Sequence, residues 1–520
     1  MRLPLNTLLL ARAAPVSGQV NDTTLTLPAS EPPYSQPLDP QLGSFSIEMD
    51  HWRDWAGPTV GAPNAFVNTA LGQLSSRTGK PVYLRVGANS EDRATLDLDV
   101  AVMDAEFPPP TPAVPAPEAS AIRIGRDFYA LSANLPPGTD LHWGVNLKAL
   151  NQDETRAQLA HLAETFERPE LAHVHLRAVE LGNEADFYAG RHGAGIYKEG
   201  WEDWDAANYT ATWVRSARDA LPLFDWETTT LSPGSFANLL TLSGMKWPAA
   251  ACYQAGMLAD PEIRAATRQF SMHTYSGAFE EGMPVHIGSL MSKQNVRGNL
   301  TVKTADVAAT HAEGLEYTLS EGNSYGHHGI PGLSNGGEQT IWGVDHLLQI
   351  ASLGIKRMHF HNGRGFTYNV LQPVALEGTG VDDGTGLQGA HVSALYHALL
   401  IVAEATGKGE AKVVEIPTSI DSLAAYGVYE DGKLVRLVII NSDIYVEGMG
   451  ERSGTRVKID GVRGKARRFH TPFTNATKGF TWAGQSFETP TSEPTGDVVE
   501  EPVDGSVELE ATSVVLIALE

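Results

Sequence analysis

Among its 520 residues the chain has one cysteine, Cys252, so no disulfide can form within it, and a lone thiol reads as a small buried hydrophobe. It has no run near the ~20 consecutive apolar residues that cross a bilayer, so a soluble protein with no membrane partner is expected. Basic residues are scarce: 38 Lys and Arg stand against 62 Asp and Glu, a net charge of −24. Such a surface repels nucleic acid and anionic lipid, and it disfavours polyanionic substrates. The one dense basic run, residues 463–468 (RGKARR), reads as a solvated strand face. Zinc-type spacing is missing too. His327, His328, His359 and His361 form no HExxH arrangement, so neither a metal nor any other cofactor is expected. No repeat of solenoid period runs through the chain.

What is present is enough apolar content, 42 %, for a large core and more than one domain. From residue 43 onward apolar runs alternate with amphipathic stretches. Strands are expected at 43–49, 81–86, 140–147, 173–181, 226–231, 268–274, 316–320 and 356–361. Helices are expected at 64–78, 154–166, 204–221, 248–258, 302–314, 338–353 and 391–405. Eight strands with intervening helices predict a (β/α)8 TIM barrel, an α/β fold, over residues 41–405. Residues 406–520 turn to short β-rich runs (AKVVEIP, LAAYGVYE, LVRLVIIN, TRVKIDG, ARRFHTP, SVVLIAL) divided by Gly, Asp and Pro, which predict a C-terminal antiparallel β-sandwich. One insertion breaks the barrel rhythm. Residues 107–119 (FPPPTPAVPAPEA) read as a stiff surface loop, with a small hairpin after it. Residues 1–20, with Arg2, a leucine-rich run and ARAA, read as a leader segment, and residues 21–40 as an N-terminal strand and an extended crossing segment. The leader and the sequons at Asn21, Asn208, Asn299 and Asn475 lead to the expectation of a secreted glycoprotein.

Two segments carry chemistry. Residues 173–188 (HVHLRAVELGNEADFY) run as an apolar strand into Asn183-Glu184, and residues 316–325 (EYTLSEGNSY) place Glu321 at the end of a second strand. On the strand count these are the fourth and seventh strands, and active sites gather at the C-terminal mouth of such barrels. Breaking a glycosidic bond needs one carboxylic acid to protonate the leaving oxygen and one carboxylate to attack the sugar carbon. Glu184 is the expected acid/base and Glu321 the expected nucleophile. Asn183 is a candidate donor to the sugar 2-hydroxyl, and Tyr275, ending the sixth strand in HTY, a candidate hydrogen-bond donor to the nucleophile. Of Glu48 and Asp50, which alternate in SIEMD, one should face the sugar, and Asn89 and Ser90 in RVGANS are candidate pocket residues.

The segments LGNEADFY and LSEGNSYG resemble the acid/base and nucleophile segments of family 79 glycoside hydrolases, the β-glucuronidases and heparanase-like enzymes. The likeness extends diffusely from about residue 43 to the C-terminus. Ala185 stands where the family pattern usually has proline, and Tyr325 follows the nucleophile one residue closer than in relatives. The resemblance implies retaining cleavage of β-linked glucuronic acid, plain or 4-O-methylated, from a carbohydrate partner. An exo-acting, monomeric enzyme is expected, with a heparanase-like endo-enzyme or a β-glycosidase of other specificity as alternatives. It further implies that residues 21–40 join the sandwich, that Glu48 meets sugar hydroxyls, and that Tyr325, the backbone after Gly326, and Tyr368 bind the substrate carboxylate. Arg364, in NGRGFTYN, is the alternative cation for that role.

Overall fold

The computed structural model describes residues 8–10, 20–111, 114, 116–188, 204–238, 240–241, 244–278, 285–377, 379 and 381–520. Most of the expected leader, and residues 112, 113 and 115 of the proline-rich insertion, lie outside them; Leu8–Leu10 pairs in parallel with Val285–Ile287.

Eight parallel strands close on themselves: β1 Gly43–Glu48, β2 Tyr83–Gly87, β3 Asp140–Val145, β4 His175–Leu181, β5 Thr230–Ser232 with Gly234–Phe236, β6 Gln269–Tyr275, β7 Glu316–Asn323 and β8 Met358–Asn362. Closure occurs at β5, whose first half pairs with β4 and whose second half pairs with β6. Pro233 separates the halves, because proline has no N–H for the ladder. At Gly234, where φ is +99°, an added Cβ would sit 2.2 Å from the Ser271 carbonyl oxygen, so only glycine turns this corner. The sequence expectation placed β5 four residues too early. A turn at Asp225, which accepts from the backbone N–H groups of Glu227, Thr228 and Thr229, delays the strand to Thr230.

Alternation along the strands sends Phe45, Ile47, Leu84 and Val86 outward into the helical layer, while Ser46, Arg85, His142, Glu180, Ser271, Thr318 and His359 fill a buried polar interior. Ten α-helices of the described chain accompany the barrel. Three of them, Ala65–Thr78, Gln152–Phe166 and Ala206–Ala220, are capped by Asn64, Asn151 and Asp205, whose side chains accept from backbone N–H groups of the first turn. The helix Lys293–Thr301, which the sequence reading did not include, precedes Thr304–Ala312.

The C-terminal β domain contains Ala411–Ile416, Leu423–Glu430, Lys433–Asn441, Gly454–His470, Glu501–Glu510 and Ser513–Leu519. TRVKIDG and ARRFHTP are one long strand rather than two, bent where its register shifts between Lys458 and Arg463. Its first half pairs with Val20–Thr24 in parallel, and its second half pairs with Ser513–Leu519. The bend lets one strand serve two layers, which bury Val457, Ile459, Val507 and Leu509 against Leu437, Ile439, Val515 and Ile517. The basic run lies on this strand, with Arg463, Lys465, Arg467 and Arg468 paired to Asp504, Glu500 and Glu501.

The other face of the sheet packs on the barrel helix Gly337–Ser352. There the Tyr426 hydroxyl donates to Asp345 Oδ1 at 2.6 Å and accepts from Arg297 Nη2 at 2.7 Å. Replacing Tyr426 by Phe should leave a buried carboxylate short of a donor, costing about 1–3 kcal/mol. A scanning-calorimetry midpoint below wild type, with kcat unchanged, is the expected outcome.

Candidate active site

Glu321 reaches the mouth through a β-bulge. His273 of β6 pairs with Glu321 while Met272 pairs with Leu319, so Ser320 is an extra residue and both Ser320 and Glu321 face inward. Bulges of this kind re-aim side chains at active sites. Gly322 permits the approach, since a Cβ there would meet the Thr274 carbonyl oxygen at 2.1 Å. Glu184 is turned by strain instead. Its backbone is left-handed (φ 47°, ψ 46°), and its N–H is held by the Ser235 carbonyl at 2.8 Å. Such a conformation costs on the order of 1–3 kcal/mol outside glycine and persists only where the surroundings enforce it.

One carboxylate oxygen of Glu184, one of Glu321 and a ring nitrogen of His273 all lie within 4.8 Å of one another. These three could in principle hold a cation, but their atoms are committed to one another and to neighbours. His273 Nδ1 is 3.0 Å from Glu184 Oε1, and the two oxygens of Glu321 accept from the Tyr275 hydroxyl at 2.8 Å and Arg85 Nη1 at 2.9 Å. The four histidines once weighed for metal binding are dispersed. His359 lies inside the barrel against the Phe45 carbonyl, His328 pairs with Glu118, and His361 stands between Glu48 and Glu321.

The two carboxyls differ in proton affinity. Burial, and then the charge of Glu321, push the Glu184 carboxyl well above the ordinary range. Burial alone would raise Glu321 as well, but His361, His273, Arg85 and the Tyr275 hydroxyl outweigh it and hold its carboxyl at about 2. Burial lowers His273 to about 4, so at neutral pH the charge that keeps Glu321 ionised comes from Arg85 and His361. This is the division of labour that a protonated acid and an ionised nucleophile require.

Arg85 is the residue the sequence reading missed. Fully buried on β2, it donates to Glu180 Oε1, Ser46 Oγ (2.9 Å), Glu321 Oε2 and Asn183 Oδ1 (2.7 Å). An arginine inside the apolar run VYLRVG was its signal, because an unpaired charge is almost never fully buried. Glu180 in turn accepts from Ser235 Oγ and lies 3.3 Å from His142 Nε2.

The other candidates fall around this core. Asn183 donates to Asn89 Oδ1 at 3.3 Å and Asn89 donates to Glu118 Oε1 at 3.4 Å. Ser90 donates through N–H and hydroxyl to Glu48 Oε2, and Glu48 is fully buried with its other oxygen 3.2 Å from His361 Nε2. Asp50 accepts from the Ala119 N–H. The Tyr275 and Tyr368 rings lie 6.3 Å apart, and the Tyr368 hydroxyl bonds to that of Tyr275. Tyr325 is half-buried with its hydroxyl 3.2 Å from Ser289 Oγ. The Gly326 N–H is already committed to the Gly277 carbonyl at 2.8 Å, so that amide is not a donor to a substrate. Arg364 turns away to the Ala375 carbonyl at 3.3 Å. Glu118, from the proline-rich insertion after β2, pairs with Arg93 at 3.0 Å and with His328 of the loop after β7 at 3.3 Å. That contact spans the ends of β1 and β8, which lie between β2 and β7 in the barrel.

An arginine-held carboxylate facing a protonated carboxyl at the mouth of a (β/α)8 barrel, with a β domain docked behind, defines a glycoside hydrolase. Residues 425–516 match the family model described as the C-terminal β domain of glycosyl hydrolase family 79. A β-glucuronidase of Aspergillus niger is 27% identical over 509 residues, covering 90% of this chain and 88% of that protein. A β-glucuronidase of Neurospora crassa is 27% identical over 448 residues, covering 83% and 77%. Among solved structures, a 4-O-α-L-rhamnosyl-β-D-glucuronidase of Fusarium oxysporum superposes with a TM-score of 0.77 at 21% identity, covering 96% of this chain and 100% of that one. A family 51 α-L-arabinofuranosidase of Bifidobacterium longum shares the fold at 0.59 and 12% identity, covering 96% and 99%. These likenesses agree with the resemblance of the two glutamate segments to family 79 glycoside hydrolases.

With Glu321 as nucleophile and Glu184 as acid, activity would need the first ionised and the second protonated. A bell-shaped dependence of kcat/KM on pH is therefore expected. Its alkaline limb falls as pH rises through the raised Glu184 value, and its acid limb falls only as pH drops toward about 2, where Glu321 gains its proton. An alkaline limb at or below an ordinary carboxyl value of about 4.3 would overturn the assignment.

Proposed function

We propose that the chain is a retaining, exo-acting β-glucuronidase that removes terminal β-linked glucuronic acid from glycans or glycosides, acting as a monomer. The observation that carries the reading is the pair Glu184 and Glu321, with carboxylate oxygens within 4.8 Å and opposite proton affinities. That spacing suits a double displacement, since inverting enzymes hold their carboxyls at about 6.5–9.5 Å to admit a water. In this mechanism Glu321 attacks the anomeric carbon while Glu184 passes its proton to the leaving oxygen. Glu184 then takes a proton from water, and the resulting hydroxide releases the sugar from Glu321. The β-glucuronidases to which the chain is similar support glucuronate as the sugar.

Neutral donors suit its carboxylate in a protein of charge −24. Burial pushes the Tyr368 hydroxyl well above its usual range and raises that of Tyr325, so both remain donors. Exo action is supported by the Glu118–His328 contact, which bars one side of the mouth. An endo-acting enzyme needs a groove open at both ends. A site complete within one chain supports the monomer. Sequons at exposed Asn21 and Asn208 and half-buried Asn299 and Asn475 support secretion and glycosylation.

The deciding experiment compares p-nitrophenyl β-glucuronide with the glucoside, galactoside and xyloside. The glucuronide should dominate, and preference for any neutral sugar would sink the assignment. Tyr368→Phe should lower kcat/KM on the glucuronide by roughly tenfold or more, on the basis that a donor to a charged group contributes about 1.5–3 kcal/mol. Loss of equal size on the glucoside would move the carboxylate site elsewhere.

The roles of the two glutamates separate in azide. Glu184→Ala should keep some activity on an activated aryl glycoside and gain rate with azide, yielding the β-glycosyl azide. Glu321→Ala should do neither, because no covalent intermediate forms. The opposite pattern would mean the roles are exchanged.

A further inference from the structure

The left-handed backbone of Glu184 has to be enforced from outside, and the contacts that enforce it converge on one buried carboxylate. Asp92 lies in the 3-10 helix Ala88–Arg93 that follows β2. Its Oδ1 accepts from the backbone N–H groups of Leu147 and Lys148, just past β3, at 3.2 and 3.1 Å. Its Oδ2 accepts from the Asn183 N–H at 3.1 Å and from the Tyr188 hydroxyl at 2.7 Å. These contacts use the full accepting capacity of a carboxylate. A single oxygen thereby ties together the two ends of the turn 183–188, one on each side of Glu184.

Building on the acid/base role proposed for Glu184, we propose that Asp92 and Tyr188 are its positioning residues. The clamp they form sets the left-handed turn and so aims the Glu184 carboxyl at the leaving oxygen. Both act through the backbone of the turn.

The neighbouring residues are fitted to this clamp. At Gly182, where φ is +81°, an added Cβ would lie 2.5 Å from the Tyr188 hydroxyl oxygen, so glycine admits the close approach. Trp204 stacks on the Tyr188 ring at 5.7 Å, and the Lys148 ammonium lies 5.5 Å from the centre of that ring. The Trp204 indole N–H donates to the Ala185 carbonyl at 2.8 Å, which fixes the middle of the turn. The β5 side of the turn has its own ties. The Ser235 carbonyl accepts the Glu184 N–H, and the Asp186 carboxylate accepts from the N–H groups of Ala237 and Asn238 at 3.0 and 2.9 Å. Loss of Asp92 therefore frees the turn on the β2 and β3 side while the β5 side still anchors it, so the expected result is a folded enzyme with a misdirected Glu184.

The test compares phenyl and 2,4-dinitrophenyl β-glycosides of whichever sugar the enzyme cleaves best. It reads kcat/KM for wild type, Asp92→Asn, Tyr188→Phe and Glu184→Ala, with folding checked by circular dichroism. Phenolate is a poor leaving group and needs the proton, whereas dinitrophenolate departs without it. Glu184→Ala sets the pattern of a lost acid, with a fall of about a hundredfold or more on the phenyl glycoside and a much smaller one on the dinitrophenyl glycoside. Asp92→Asn turns amide hydrogens toward backbone donors and should reproduce that pattern. Its phenyl glycoside should fall by roughly a hundredfold, the cost of misplacing a reacting group by about 1 Å, and its dinitrophenyl glycoside by no more than about a tenth of that factor. Tyr188→Phe removes one bond of the clamp and should show the same bias with a smaller loss. Equal losses on the two glycosides, or no loss, would make the clamp a support of the fold alone and overturn the inference. Should Asp92→Asn fail to fold, Tyr188→Phe decides by the same criterion. Equal losses in Glu184→Ala itself would remove the acid/base reading and this inference with it, whereas a biased Glu184→Ala beside unbiased Asp92 and Tyr188 variants would sink this inference alone.

Discussion

The buried guanidinium of Arg85 is the constraint on which the site depends. Taking an arginine fully out of water costs several kcal/mol unless every donor finds a partner. Here the planar fork divides its work, with Nε and Nη2 going to Glu180, Nη1 to Ser46 and Glu321, and Nη2 also to Asn183. One rigid group thereby spaces Glu321 on β7 relative to Asn183, the residue before Glu184 after β4. Lysine could not substitute, since an ammonium has no fork. Beside it Glu91, fully buried 4.0 Å from Arg85 Nη2 and with no hydrogen-bond partner among the described residues, is pushed well above the ordinary carboxyl range by burial and by Glu180. A neutral Glu91 spares the interior a third negative charge around one guanidinium. Glycine at position 144 makes room for it, since a Cβ there would lie 1.7 Å from Glu91 Oε2.

The difference between Glu184 and Glu321 follows from this placement rather than from residue type. Both are largely removed from water, with 15% and 5% of the side chains of Glu184 and Glu321 exposed. Burial therefore pushes both toward the protonated state. Only Glu321 meets cations and a tyrosine hydroxyl, so it alone ionises, and its charge then becomes a further reason for Glu184 to keep its proton. The asymmetry is cooperative: each carboxyl sets the state of the other.

Local rules explain why the eight strands, the two glutamates and most helices were legible in the sequence. Apolar period, strand length and Gly/Pro punctuation are all written within a few residues. What was not legible depends on contacts across the chain. The role of Arg85 requires β2 to face β7, 236 positions away. The extra residue at Ser320 shows only once β6 and β8 are laid beside β7. The delay of β5 to Thr230 came from the Asp225 turn, and KQNVRGNLT, with few apolar residues, gave little helical signal although Val296 and Leu300 are buried. The arginine candidate for the substrate carboxylate looked open in sequence, yet the fold turns Arg364 toward Ala375.

This leaves a problem of charge that the fold answers by separating two tasks. A substrate bearing a carboxylate must enter a molecule of charge −24 and come to rest near four carboxyl groups, those of Glu48, Glu118, Glu184 and Glu321. At physiological salt the distant surface charges are screened beyond about 8 Å, so the near groups decide. The cations close to the site, Arg85 and His361, already face Glu321, and transferring either to the substrate would weaken the hold on Glu321's charge. Neutral hydroxyls have no such conflict. Tyr325 and Tyr368 both have their hydroxyl values raised, by burial first, so they stay protonated across any working pH and donate without altering the proton count. Recognition of the proposed glucuronate through such donors is thereby uncoupled from the ionisation of the two glutamates, and pH can govern the chemistry without governing the grip.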